Sequence, residues 1–188
     1  MLMDPDRLES LLHYLAEEFG LNNGEFILST EKLPPEHLAM MYNVASFTLN
    51  IADAEGFGLS SLESLSCGTP VINSMTGGLQ EQVTDGENWF GIGINPVSKA
   101  VIGSQQVPYI YEDRVSGTDV IAALTRAYHM DQSEYKKLSA GALQHVRNNY
   151  NFEDFGRKWV DLMTSVHEKN GSYENRKNHK NRWGLIQL

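Results

Sequence analysis

Apolar positions in this chain follow two periods in turn. After Asp4-Pro5-Asp6, a helix start, Leu8, Leu11, Leu12, Leu15 and Phe19 keep helical spacing until Gly20 ends the stripe. Phe26-Ile27-Leu28 reads as a short buried strand. Pro34-Pro35-Glu36 opens a second helix whose Leu38, Met41 and Tyr42 face inward. A strand over Phe47–Ile51 comes next, then a helix over Leu59–Cys67 stopped by Gly68-Thr69-Pro70. Pro70–Asn73 predicts the next strand, Leu79–Val83 a short helix, Asp85-Gly86 a turn, and Trp89–Ile94 a further strand. Strands alternating with helices at this spacing imply right-handed βαβ units and a parallel sheet.

Beyond residue 94 the pattern changes. Residues 95–117 have no clear period and contain Gly103, Pro108, Gly117 and Tyr109-Ile110-Tyr111, which predicts a long loop or a hairpin insert. Three helices then succeed one another at about 119–130, 133–149 and 152–168. In the last, Phe152, Phe155, Trp159, Leu162, Met163 and Val166 lie on one face and are expected to be core, because the other face carries Glu153, Asp154, Arg157, Lys158 and Asp161. The fold class is α/β, a Rossmann-like parallel sheet with helices and an all-helical C-terminal third.

Composition narrows the class. With 188 residues, 41% apolar and 21% charged, the chain suits one domain with a sizeable core and not wholesale disorder. No apolar run reaches the roughly 18 residues a membrane helix needs. A single cysteine, Cys67, excludes an internal disulfide and fits a reducing compartment, so a cytoplasmic location is expected, the inner face of a membrane included. Residues 1–98 hold only Arg7 and Lys32 against 14 acids, a local charge of −12. So acidic a body disfavours nucleic acid, whose phosphates demand many cations. Residues 169–182 carry five bases against Glu174 alone, and 169–188 is expected to be a disordered polar tail, with contact to an anionic surface as the alternative.

The stretch that carries chemistry runs from Glu55 to Glu81: Glu-Gly-Phe-Gly-Leu-Ser-Ser-Leu-Glu-Ser-Leu-Ser-Cys-Gly-Thr-Pro-Val-Ile, then Gly77-Gly78-Leu-Gln-Glu. Gly56 and Gly58 open the backbone at a helix N-terminus, where unpaired N–H groups and the positive dipole end favour an anion. Glu55 precedes the turn and Glu63 lies one turn into the helix, so both can face one cleft at the carboxyl ends of the strands. Acceptor-only carboxylates beside backbone donors suit a hydroxyl-rich ligand that also carries phosphate, as a sugar nucleotide does. A lone Gly-x-Gly before a helix is equally a tight turn for close packing.

The whole string resembles the C-terminal, donor-binding domain of retaining GT-B glycosyltransferases of group 1, also called family 4. The likeness runs over residues 1–168 and is strongest over Pro34–Asp85. Leu33-Pro34-Pro35-Glu36-His37-Leu38 and Met41-Tyr42-Asn43-Val44-Ala45 look like the segment leading to the paired glutamates. Glu55 and Glu63 match the Glu-x7-Glu motif. Gly68-Thr69-Pro70-Val71 and Gly77-Gly78 with Glu81 match the family's next segments, and the helix begun by Asn151-Phe152 is similar to its closing helix. Ser60 departs from the proline of many members.

The resemblance implies a contact from Glu55 to the donor hexose, making it the catalytic residue, and one from Glu63 to the ribose hydroxyls. Backbone around Gly56, Phe57, Gly58, Leu59 and Ser60 would meet the sugar and diphosphate. The implied reaction transfers a hexose from a nucleoside diphosphate with retention, without a cofactor or an obligatory metal. It also implies that the chain begins after the family's opening strand, helix and strand, with their phosphate-binding Arg and Lys, and lacks the N-terminal domain with the acceptor site. That domain, or a partner chain, is then needed for turnover. The alternatives are a non-catalytic interaction subunit and an inactive fragment.

Other residues invite chemistry and are read as structural. Cys67 has no base beside it and is expected to be a small core residue. His13, His37, His129, His145, His167 and His179 lack metal-ligand spacing. Asp53 is expected to be a solvated loop acid, and Tyr109 and Tyr111 to pack the insert.

Overall fold

The computed structural model describes residues 5–21, 23–29, 31–103 and 105–172. The chain divides into two compact units, residues 1–38 and 39–188. Of the polar tail expected over 169–188, Lys169 and Asn170 are helical instead, and residues 173–188, with Arg176, Lys177, His179, Lys180 and Arg182, lie outside the described residues.

In the first unit, helix α1 spans Pro5–Glu18. It closes on a bond from the Leu21 N–H to the Ala16 carbonyl at 2.8 Å, six residues to one, which satisfies a carbonyl the helix end would otherwise orphan. The predicted stripe is only partly covered: Ala16 is buried, while Leu11, Leu15 and Phe19 are exposed. Phe26-Ile27-Leu28 is not a strand. Ile27 is 84% exposed, and no strand among the described residues pairs with this segment. An apolar triplet with β propensity becomes a strand only where a ladder partner takes its N–H and C=O groups. The division between the units falls within helix α2, Pro35–Val44, whose Met41 and Tyr42 belong to the second; the helix starts as its prolines require, with the Pro34 carbonyl accepting from His37 and Leu38. Met41, expected to face inward, is 52% exposed, while Tyr42 is half-buried.

The second unit is built on a three-stranded parallel sheet, order β1-β2-β3, formed by β1 (Thr48–Asn50), β2 (Val71–Ser74) and β3 (Gly91–Ile94). Leu49 lies opposite Ile72, and Ile72 opposite Ile92. Alternation along β2 sends Val71 and Ile72 to opposite faces. On one face Val71 packs with Leu65 of α3 (Leu59–Ser66), Val83 of α4 (Leu79–Val83), Phe90, and Ala142 of α6 (Gln132–Asn149). On the other, Ile72, Ile92 and Ile94 meet Ala123 of α5 (Gly117–Tyr128). Each buried Val, Leu or Ile contributes about 1.5–3 kcal/mol, so these two layers hold the sheet.

Between β3 and α5 the chain forms an antiparallel hairpin of β4 (Ser98–Ile102) and β5 (Ile110–Arg114), the insert read from residues 95–117. Tyr109 and Tyr111 do not pack it: they are 76% and 58% exposed. The ribbon is paired through its cross-strand ladder, and these two aromatic side chains face solvent. Helix α7, Phe152–Asn170, is capped by Asn151, whose side chain accepts from the Glu153 and Asp154 N–H groups. None of its residues is buried, and Phe152, Trp159 and Met163 stand exposed, contrary to the expected core face. A helical stripe specifies that a face is apolar, not which surface covers it.

Candidate functional site

All three parallel strands leave the sheet at one end, and the motif residues lie there. At the exit of β1, the Asn50 side chain accepts from the Ala52 N–H at 3.2 Å and donates to the Ser61 hydroxyl at 3.4 Å. Ser61 donates on to the side-chain oxygen of buried Asn73 at 3.3 Å. The Ser74 hydroxyl holds the Ala52 carbonyl at 2.7 Å. The path from β1 to α3 is therefore fixed by side chains of β1, α3 and β2 together.

Two glycine positions shape the turn. The Gly78 N–H donates to the Glu55 carbonyl at 3.2 Å, and a Cβ on Gly77, whose φ is +46°, would fall 1.9 Å from that same oxygen. Gly58, at φ +86°, is the N-cap of α3, and a Cβ there would meet Leu79 Cδ2 at 2.5 Å. The loop and the start of α4 thus lie flush, a contact only glycines allow. Where Ser116, Asp131 and Asn151 cap α5, α6 and α7 with their side chains, α3 has no side-chain cap. Ser60 lies in its first turn, exposed, and does not cap it. The first-turn N–H groups of α3 remain available, with the dipole's positive end behind them.

The two glutamates have separate supports. Half-buried Glu55 accepts from the Phe57 N–H through Oε1 at 3.3 Å, folding its carboxylate over the turn. Glu63 is exposed on α3, about 6 Å further along the helix axis than Leu59. Its Oε2 accepts from the Tyr42 hydroxyl at 3.0 Å, and the Tyr42 carbonyl in turn accepts from Thr69 Oγ1 at 2.7 Å. Burial, then the Glu63 carboxylate, push the Tyr42 hydroxyl up to about 12, so it remains a donor at neutral pH. The Phe57 ring leaves the turn and meets Tyr150 edge-on at 5.9 Å. Burial raises Tyr150 as well, with Glu81 adding to it. Gly56, Phe57, Leu59 and Ser60 are exposed, and Gly58 is buried against α4.

Some of the arrangement was not visible in the residue pattern. Asp53 is not a free loop acid: its carboxylate pairs with Arg114 of β5, which also bonds Glu112 at 2.8 Å. The Asp113 N–H donates to the Asp53 carbonyl at 2.7 Å, and Thr76 Oγ1 donates to Asp113 Oδ2 at 2.7 Å. Lys99 reaches Asp113 at 3.5 Å. The hairpin is thereby tied to the exits of β1 and β2 and brings two cations to a region whose local sequence has almost none. Gln82, wholly buried on α4, donates through Nε2 to the Phe57 carbonyl. The run of charged residues Glu112-Asp113-Arg114 was the available signal for the first feature. For the second there was none.

Cys67, expected in the core, is only half-buried, at the C-cap of α3. Among the described residues, no three His, Cys, Asp or Glu side chains cluster as metal ligands. No helix among them is long and apolar enough to cross a membrane. A cleft of about 660 Å³ lies against Asp85–Phe90, α5 and α6, lined by Trp89, Arg126, Lys137 and His145 among others. The motif glutamates do not line it.

A parallel sheet flanked by helices on both faces, with a glycine turn at its strand exits, is a Rossmann-like α/β architecture matching part of a GT-B fold. Residues 7–101 match the family model of glycosyl transferases group 1, and the chain belongs to that family. It is 32% identical over 132 residues to the D-inositol 3-phosphate glycosyltransferase of Acidothermus cellulolyticus, covering 69% of this chain and 28% of that protein. To the enzyme of the same name from Thermomonospora curvata it is 32% identical over 136 residues, covering 72% and 26%. In structure it is similar to the sucrose-phosphate synthase of Thermosynechococcus elongatus, with a TM-score of 0.64 and 23% identity over 88% of this chain and 37% of that one. The chain spans less than a third of the length of these two sequence relatives.

Proposed function

We propose that this chain supplies part of the donor site of a retaining glycosyltransferase, which transfers a hexose from a nucleoside diphosphate to an acceptor bound elsewhere. The observation that carries this reading is the uncapped N-terminus of α3, opened by Gly58 and flanked by Glu55 and Glu63. In this reading the Glu55 carboxylate accepts from hexose hydroxyls, and Glu63, oriented by Tyr42, accepts from the ribose. The N–H groups of Gly58, Leu59 and Ser60 face the diphosphate and stabilise the charge that grows on it as the glycosidic bond breaks. No metal is invoked. The acceptor half comes from sequence or a partner outside these residues.

Magnitudes set the expected strength. A helix N-terminus contributes about 0.3–1 kcal/mol, and at best about 2. Hydrogen bonds to charged groups add about 1.5–3 kcal/mol each. A millimolar Kd corresponds to about 4 kcal/mol after association costs. Lys99 and Arg114 are engaged with Asp113, Asp53 and Glu112, so they leave little uncompensated positive charge for a diphosphate. Binding by this chain alone is therefore about millimolar or weaker, without turnover.

The test is a titration of the chain with UDP-glucose, GDP-mannose and ADP-glucose, followed by backbone amide resonances. Saturable shifts over Glu55–Glu63 that vanish in Glu55→Ala and Glu63→Ala are expected. Shifts that survive both substitutions, or that fall elsewhere in the chain, overturn the reading.

A further inference from the structure

Gln82 occupies an expensive position. It shares the buried face of α4 with Leu79 and Val83, and its relative exposure is 0%. Its Nε2 donates to the Phe57 carbonyl, yet its Oε1 is buried with no hydrogen-bond partner. The orientation of the amide is fixed by chemistry, since turning it over would set two oxygens against each other. A leucine or methionine would fill the same space without an orphaned oxygen, and buried unpaired acceptors are rare because they destabilise. The glutamine therefore does something that packing does not require.

Its one bond falls on the peptide that matters most to the turn. The Phe57–Gly58 peptide precedes a glycine in the left-handed region, at φ +86°. Rotating such a peptide by half a turn exchanges two backbone conformations, and glycine accepts both. Nothing in Gly58 itself selects one. In a trans peptide, the carbonyl and the following N–H point in opposite directions. With the Phe57 carbonyl drawn toward Gln82 of α4, the Gly58 N–H must point away from that side chain. Gly78 confines the same peptide from beside it, since a Cβ there would lie 2.9 Å from the Phe57 oxygen.

We propose that Gln82 is a positioning residue for donor binding, locking the Phe57–Gly58 peptide so that the Gly58 N–H is aimed at the donor. This rests on the donor-site reading above and adds to it a residue outside the glycine turn and the paired glutamates. Gln82 touches no ligand. Its effect is to remove one of two backbone states before the ligand arrives, so that binding does not have to select it.

The experiment compares the wild-type chain with Gln82→Leu and Gln82→Met. In the absence of ligand, both variants are expected to melt at or above the wild-type temperature, because the orphaned oxygen is gone. Their Gly58 amide resonance is expected to shift and broaden as the peptide exchanges. With the sugar nucleotide that binds the wild type, the apparent Kd is expected to rise fivefold or more, with the ligand-induced shift at Gly58 lost and that at Glu63 kept. An unchanged Gly58 resonance, or a Kd within twofold of wild type, overturns the proposal. A lower melting temperature with an unchanged Gly58 resonance does the same, assigning Gln82 to packing alone. Should the wild type show no donor-induced shift, the donor reading fails by itself, and the ligand-free Gly58 resonance still decides whether Gln82 sets the peptide.

Discussion

The hydroxyl of Tyr42 donates to Oε2 of Glu63 at 3.0 Å, joining α2 to the exposed face of α3. Because the phenol is raised to about 12, the folded state holds its proton where an unfolded tyrosine, near 10, has released it. Between these values the unfolded chain binds fewer protons than the folded one, so stability falls as pH rises. The contribution is complete below about pH 10 and lost through about pH 12. Urea unfolding across pH 9–12 is expected to show this decline in the wild type and a shallower one in Tyr42→Phe. At neutral pH the substitution is expected to lower stability by about 0.5–1.5 kcal/mol, toward the lower end for a bond this exposed.

Gly77→Ala tests the contact between the turn and α4. Its Cβ would lie 1.9 Å from the Glu55 backbone oxygen, at a φ of +46° that side chains rarely adopt. Backbone cannot retreat as a flexible side chain does. A loss of about 1–3 kcal/mol in denaturant unfolding is expected, together with displaced amide resonances over Glu55–Gly58.

Arg114→Met removes the ion pair to Asp53 and the bond to Glu112 while keeping the length of the side chain. Both partners of the Asp53 pair are about two-fifths exposed, so the global effect is small, within about 1 kcal/mol. Locally the change is larger. Hydrogen exchange over 98–114 is expected to accelerate while the amides of β2 and β3 keep their protection. Added salt is expected to reproduce part of the effect in the wild type and to act more weakly in the variant, where the Lys99–Asp113 pair remains to be screened.

Asn151→Ala removes the side-chain oxygen that accepts from the Glu153 and Asp154 N–H groups at the start of α7. A loss of about 0.5–2 kcal/mol is expected for that helix, read as reduced helicity and faster exchange of its first turn. The response of the Glu55–Glu63 amides to a sugar nucleotide is expected to stay unchanged.

Local signals carried most of the architecture. Leu79–Val83 was legible as a helix from its apolar residues and Gly77-Gly78, and Val71 to Ser74 from a β-branched run after Pro70. The hairpin was legible only as an insert, because its place above the strand exits depends on Asp53 and Thr76, far away in sequence. Phe26–Leu28 and the stripe of α7 show the converse error. Each has the composition of a buried element, but burial belongs to a pair of surfaces and one sequence segment specifies only one of them. At the site, Glu55, Gly58 and Glu63 could be singled out by spacing. Tyr42 had an expected face but no role, and Gln82 gave no signal, since its function is written in the direction of another residue's carbonyl.

The seam joining the strand exits has a wider consequence. Ala52 is held to Ser74, Met75 to Ile94, Thr76 to Asp113, and Asp113 to Asp53, two positions before Glu55. The ribbon between β3 and α5 is thus stitched at its root to the exits of β1 and β2. Drift in Asp53 or Thr76 would therefore be felt in the ribbon as well as in the strand exits, so the two regions are bound to evolve in step.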